Sequence, residues 1–482
     1  MLLAWRACAF FLLLAVAACG GDDGGKGGTP DAPIADPDEG LRSGSRIHLA
    51  WHEYGDTKVY AGLFDTQRNE ACTPTVWTDG NSYCTPATSP VVYTDASCMQ
   101  PLGKVLHFAG CTAITPAYFL ANDIVGCTTV PSHLYQAGAQ TAAVPYYLRD
   151  AFSGACVGPT TSSANFDYYT IGAEVAPTGL AQLTKKPATP ADTGRIQRQF
   201  MTTTDGAAVF APPHDSMLNL DCKLVPLQNA TALDCAPASQ LSNYFHDSLC
   251  KMPTLVTRAE CAKPAYASLA TKPRCPNSTV DYYTTGDQTT SQPLYTSSCT
   301  STTEIPQSAY YLLSQALSVT TMTRTVDTTA GRTVQLIHDA NGTASVRDGL
   351  LFDTGHTTEC VELTQLDGST RCMPLGGNIA SFFSDGTCAT AVQVVQIAVG
   401  DVADSCPPTV VPKYVSKTLP PMPPDVCGST YEVYEVGAQY TGTLFTGTPS
   451  ACTQADTTGF QNYALGPQHA LTEFPQATAT KD

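Results

Sequence analysis

The feature that most constrains this chain is a spacing of six cysteines that occurs three times. The sets are Cys72, Cys84, Cys98, Cys111, Cys127 and Cys156; then Cys222, Cys235, Cys250, Cys261, Cys275 and Cys299; then Cys360, Cys372, Cys388, Cys406, Cys427 and Cys452. The third cysteine of each set closes the same short phrase, an aromatic residue, then Asp two places on and Cys three places after that: Tyr93, Asp95 and Cys98; Phe245, Asp247 and Cys250; Phe383, Asp385 and Cys388. Self-similarity at a fixed period marks a repeat architecture, and the copies span 45–190, 191–327 and 328–482. An even set in each copy is the arithmetic of disulfides formed outside the cytosol. Zinc fingers and ribbons set two ligands only a few residues apart, whereas the nearest of these cysteines, Cys250 and Cys261, have ten residues between them. No Cys-x-x-Cys redox pair occurs either. The eighteen thiols are therefore read as structural disulfides, with no metal and no cofactor, and their connectivity stays open by counting alone.

Only 14% of the residues are charged, and the chain is rich in Thr, Ser, Gly and Pro, which suits short strands and turns better than long amphipathic helices. With 25 Lys and Arg against 42 Asp and Glu the net charge is -17, which repels phosphate backbones and argues against a nucleic-acid partner. Each copy opens on an arginine and a strand, at Arg46, Arg195 and Arg332. In the first, Ile47, Leu49 and Trp51 alternate with His48, Ala50 and His52, the pattern of a half-buried strand. A second strand follows at Leu63-Phe64-Asp65-Thr66 and Leu351-Phe352-Asp353-Thr354, and the middle copy has Val209-Phe210-Ala211-Pro212 there. The first two cysteines of copies one and three then flank Asp79-Gly80 and Asp367-Gly368, a strong hairpin signal.

The second half of each copy carries Tyr-x-x-Gly after the fifth cysteine, at Tyr135 and Gly138, Tyr283 and Gly286, and Tyr434 and Gly437. The same spacing returns after the sixth, at Tyr169 and Gly172 and at Tyr463 and Gly466, with Tyr311 and Ser314 in the middle copy. The predicted fold is all-β: a threefold repeat of disulfide-rich antiparallel sheets, arranged as a six-bladed propeller with two blades per copy, or else as three tandem sandwiches or barrels.

Residues 1–18 hold one early positive charge, Arg6, and a short apolar run from Ala9 to Val16, the pattern of a secretion signal rather than a permanent span. The run ends Val16-Ala17-Ala18-Cys19, which resembles the lipobox of bacterial lipoproteins. That resemblance implies cleavage before Cys19 and acylation of Cys19, and two or more acyl chains anchor a protein stably in a membrane. Gly20 rather than Asp follows, which in that family points to the outer membrane or cell surface. Residues 19–44 are Gly, Pro and Asp-rich and read as a disordered tether. Beyond the leader, the copies resemble cysteine-rich repeats of uncharacterised bacterial surface lipoproteins, which carry no activity over.

A search for chemistry finds no Gly-x-Ser-x-Gly elbow, phosphate loop or dinucleotide fingerprint. His48 and His52 share a strand face, but Gln197 and Met201 stand there in copy two and Val334 and His338 in copy three, so no threefold metal site is built from them. The Asp of the aromatic-x-Asp-x-x-Cys phrase reads as a turn residue whose carboxylate accepts amides further on. Tyrosine is the residue most suggestive of binding, with 22 Tyr against 3 Trp and doublets at Tyr146-Tyr147, Tyr168-Tyr169, Tyr282-Tyr283 and Tyr310-Tyr311. In a half-exposed strand one member of each doublet points outward, where its flat face and polar tip suit a glycan or protein ligand. The chain is thus expected to be an exported, lipid-anchored, non-catalytic binding or structural module. The alternative is an extracytoplasmic, glycosidase-like hydrolase using carboxylates such as Asp65 and Asp353 in a propeller.

Overall fold

The computed structural model describes residues 40–482 except 107–115, 126, 151–153, 163–164, 227–231, 271–279, 297, 328, 330, 348, 366–367, 375–377, 400–409 and 420–429. The leader with Cys19, most of the tether, and Cys111, Cys275, Cys406 and Cys427 lie outside these residues. All of the described residues belong to one unit. They form strands and two short 3-10 turns, with no α-helix among them, as the low charge and high Thr and Ser content led one to expect.

Local residue patterns make the strands, and the strands make one sheet common to all three copies. Ile47 and Leu49 are buried on one face of the strand Ile47–Tyr54, which then bulges between Ala50 and Trp51. The bulge puts the next buried residue, Tyr54, out of phase with the first two, so one strand serves two cores. Its hairpin partner is Thr57–Asp65, followed in antiparallel order by Glu70–Val76, Ser82–Pro86 and the closing strand Gln182–Pro187. That closing strand pairs in turn with Ile196–Thr203, the first strand of copy two.

Copy two repeats the order, and its closing strand Thr320–Val326 pairs with Val334–Asn341, the first strand of copy three. The closing strand of copy three, Gln476–Lys481, pairs with Ile47–Tyr54 and completes the circuit. The result is a single 17-stranded sheet curled on itself. Residues 40–44, read as the end of the tether, take part: Arg42 exchanges backbone hydrogen bonds with Ala208 at 3.1 and 2.9 Å.

Each copy also lends its first hairpin to a neighbour. Ala207 and Val209 of copy two complete the core formed by Ile47, Leu49, Leu63, Cys72 and Cys84. Ala344 and Val346 of copy three complete the core around Ile196 and Cys235, and Tyr54 and Val59 of copy one complete the core around Val334 and Cys360. Polar contacts fix each insertion. The Asp205 carboxylate accepts the Arg46 and Ile47 amides at 2.6 and 3.0 Å, the Thr343 hydroxyl accepts the Thr193 amide at 2.7 Å, and the Thr57 hydroxyl donates to the Val334 carbonyl at 2.7 Å.

The second half of each copy makes a sheet of its own, of 7, 8 and 7 strands. In copy one it closes through Ser89–Tyr93, Pro101–Leu106, Phe166–Val175, Thr128–Thr141 and Tyr118–Val125, the last of these running parallel to the first. The two Tyr-x-x-Gly phrases of a copy lie opposite one another in its two long strands, where the register shifts twice. A Cβ on Gly138, Gly286 or Gly437 would stand 2.7 to 2.9 Å from a carbonyl oxygen of the facing strand, so only glycine permits the approach. These phrases therefore belong to one sheet per copy, not to two blades. Four sheets of unequal kind replace the expected six, and the copies, sharing one sheet and exchanging hairpins, are not separate sandwiches or barrels on a string.

Candidate functional site

The described cysteines form seven disulfides. The first and second cysteines of each copy join neighbouring strands, as Cys72–Cys84, Cys222–Cys235 and Cys360–Cys372. The third and sixth join the Asp turn to a hairpin flap, as Cys98–Cys156, Cys250–Cys299 and Cys388–Cys452. The seventh, Cys127–Cys261, was not expected from even sets within copies, because it links copy one to copy two.

The turn aspartates do what their position suggested. Asp95 accepts the amides of Ser97, Met99 and Gln100; Asp247 those of Leu249, Lys251 and Met252; Asp385 those of Thr387, Ala389 and Thr390. These bonds hold Cys98, Cys250 and Cys388 at φ of 53, 52 and 50°. The Ser97 hydroxyl, and the turn amides after it, hold Asp95 below the usual carboxylate range, and Thr387 and Thr390 do the same for Asp385. Around Asp247 slight burial acts upward, and the amides of Lys251, Met252 and Leu249 carry it down.

The second-strand aspartates are also structural partners. Asp65 and Asp353 each pair with the first buried residue of their copy, Ile47 and Val334, and the residue so placed in copy two is Asp215, opposite Ile196, not Ala211. All three are at most 1% exposed and each accepts amides two and three residues on. Arg46 clasps Asp65 and Arg195 clasps Asp215. Copy three slips by one residue: Thr333 stands where the arginines stand, Arg332 reaches Asp327 instead, and Asp353 meets His356 Nδ1 at 2.7 Å. His48 and His52 go to separate partners, the Asp482 carbonyl and Glu362.

The tyrosine doublets do not line a surface. Tyr168, Tyr169, Tyr310 and Tyr311 are all buried, as are Tyr146 and Tyr282, while Tyr147 and Tyr283 are half-buried. The sheets that carry them curl, so both faces of a strand are covered, and Tyr146 packs on Tyr168 and Phe119 on Tyr169.

Tyrosine does line a cavity of about 250 Å³ beside the Asp turn of copy one. Arg149 donates to Asp123 at 2.5 Å and lies 5.6 Å from the Tyr93 ring centre; His133 stacks on Tyr135 and meets Glu174 at 2.7 Å. Burial pushes the Tyr93 and Tyr135 phenols above their ordinary range. The volume is slightly below the roughly 300–1,000 Å³ of drug-sized sites. Flat rings beside an arginine–carboxylate pair offer apolar faces with donors and acceptors at their rim, the chemistry that holds a sugar ring or a short polar side chain. Two of its aromatics stood out beforehand, Tyr93 as the opening of the repeated phrase where the other copies carry Phe245 and Phe383, and Tyr135 as the start of a Tyr-x-x-Gly phrase, but nothing in the spacing brought them together.

Copy three holds a second cluster. One donor atom each from His356, His469 and Glu473 lies within 4.8 Å of the other two. His469 Nδ1 is 2.9 Å from Glu473, whose other oxygen accepts the Ala470 amide at 2.8 Å. His469 and that amide, together with the charge of His356, hold the Glu473 carboxyl below its usual range. His356 stacks on Phe474 with 4.4 Å between ring centres.

Searches of curated proteins and of solved structures each found no match to this chain. A family model described as a family of unknown function, DUF7481, matches residues 12–474. A match of that extent takes in all three cysteine sets and both clusters, and the chain belongs to the DUF7481 family.

Proposed function

We propose that this is an exported, lipid-anchored module of the cell envelope, held through Cys19 at the outer membrane or cell surface, that binds a small glycan or protein ligand and catalyses no reaction. The observation that carries the reading is the cysteine network, since seven disulfides among the described residues, on turns and between copies, are cross-links of the kind that an oxidising compartment sustains. The lipobox-like Val16-Ala17-Ala18-Cys19 supplies the anchor. The aromatic cavity of copy one supplies the binding site, with Arg149 and Tyr135 as its principal contacts.

The anchor is tested by cell fractionation: Cys19→Ala is expected to release the protein from membranes, and unchanged retention defeats the lipid. Binding is tested on a glycan array with the wild type and Arg149→Gln side by side. Glycan signals that fall at least about tenfold in the variant support the cavity, on the scale of a lost charged hydrogen bond. Signals that persist in the variant place the ligand elsewhere, and cleavage of arrayed glycans in place of retention replaces the binding reading with a hydrolase.

A further inference from the structure

Copy three departs from the other two at a point where they agree. In copy one, Arg46 joins Asp65 to the Gly179 carbonyl at 3.0 Å; in copy two, Arg195 joins Asp215 to the Ser318 carbonyl at 2.6 Å. A guanidinium thus ties the turn after the second strand to the segment that leads into the closing strand. In copy three the arginine's place is taken by Thr333, yet the buried Asp353 remains. The side chains gathered there are His356 from the turn, and His469 and Glu473 from the segment before the closing strand.

We propose that His356, His469 and Glu473 bind one divalent transition-metal ion of the zinc class, which ties the turn to the closing segment of copy three as arginine does in the other copies. Two imidazoles and a carboxylate are a donor set that takes zinc, cobalt or nickel in preference to calcium or magnesium, which want oxygen alone. With Nδ1 of His356 turned to the buried Asp353, its Nε2 is the donor left for an ion, the carboxylate–histidine arrangement that orients metal ligands.

His469 Nε2 is buried and has no hydrogen-bond partner, so a coordinated ion satisfies an atom that otherwise costs free energy. Tetrahedral bonds of about 2.0–2.1 Å set ligand atoms about 3.3 Å apart. The 4.8 Å cluster therefore contracts, with the exposed Glu473 side chain exchanging its hydrogen bond to His469 for the ion. Tyr414 and Phe474 pack around both rings, and the nearby Lys413 amine is engaged with the His356 carbonyl at 3.2 Å. Three protein ligands leave a fourth position for water.

The test is titration of the purified full chain, freed of metal by a chelator, with Co²⁺ followed by visible absorption, and then with Zn²⁺ by calorimetry. The expected result is one equivalent bound per chain, a tetrahedral cobalt spectrum, displacement of Co²⁺ by Zn²⁺ and none by Mg²⁺. His469→Gln abolishes the spectrum, Asp353→Asn weakens affinity by about 10- to 100-fold through the ligand it orients, and His214→Gln changes nothing. Circular dichroism equal to wild type shows that the variants are folded. Absence of stoichiometric binding, or binding that survives His469→Gln, overturns the proposal and leaves an imidazole–carboxylate network.

Discussion

Single aspartates set the turns of this protein in two ways. Asp95, Asp247 and Asp385 lie at the surface and gather amides that would otherwise face water, while Asp65, Asp215 and Asp353 are buried and take a side-chain donor as well, from Arg46, Arg195 and His356. The surface trio titrates below the usual range in the folded chain. A carboxyl depressed by folding adds stability above its unfolded value and loses it as pH falls through the folded one. Denaturant midpoints are therefore expected to fall as pH drops below about 4, where free aspartate takes up its proton. Asp385→Ala should have a flatter profile, and the gap between the two curves should close as the pH falls. A gap independent of pH would show that the turn is held by something else. The surface trio was legible because its bonds are local. The buried trio was misaligned in copy two, with Ala211 for Asp215, because a bulge between Gln197 and Gln199 shifts a register that counting along the chain cannot follow, and in copy three Arg332 stands one residue before the place that Thr333 holds.

At the scale of elements, two signatures that looked alike play different parts. The paired Tyr-x-x-Gly phrases mark one close crossing of two long strands, and the doublets beside them are packing residues. Alternation was read as one face in and one face out, which holds for a flat sheet and fails for one that curls until both faces are covered. The cysteines divide by reach: Cys72–Cys84 closes 12 residues and Cys127–Cys261 closes 134. Loop-closure entropy makes the first worth about 3 kcal/mol and the second about 5. Replacing both Cys127 and Cys261 by Ala is expected to lower the denaturant midpoint more than the same change at Cys72 and Cys84. A smaller drop would show that the long cross-link closes a loop already restrained in the unfolded chain. Non-reducing peptide mapping should recover the Cys127–Cys261 peptide.

At the scale of the molecule, the last strand decides whether the sheet has edges. Gln476–Lys481 lies between Ile47–Tyr54 and Thr370–Pro374, and Asp482 beyond it accepts the Trp51 indole at 2.8 Å. Removing residues 476–482 is expected to expose two strand edges, so the truncated chain should self-associate in sedimentation more strongly than the full chain and melt in more steps than it does. A monomeric, single-step truncation would mean that the circuit holds without its final strand. The threefold period and the β class were legible because composition and cysteine spacing report them directly. The circuit was not, since it rests on which strand meets which across copies more than a hundred residues apart, as between Thr57 and Val334. The exchange of hairpins also bears on descent. An open array gains or loses units freely because each unit touches only its neighbours. Here every copy is finished by a hairpin from another and the last meets the first, so a gene that dropped or duplicated one copy would encode a circuit that no longer meets itself. The geometry thus ties the three copies together, and they differ from one another in side chains, the first lining the aromatic cavity and the third gathering the histidines.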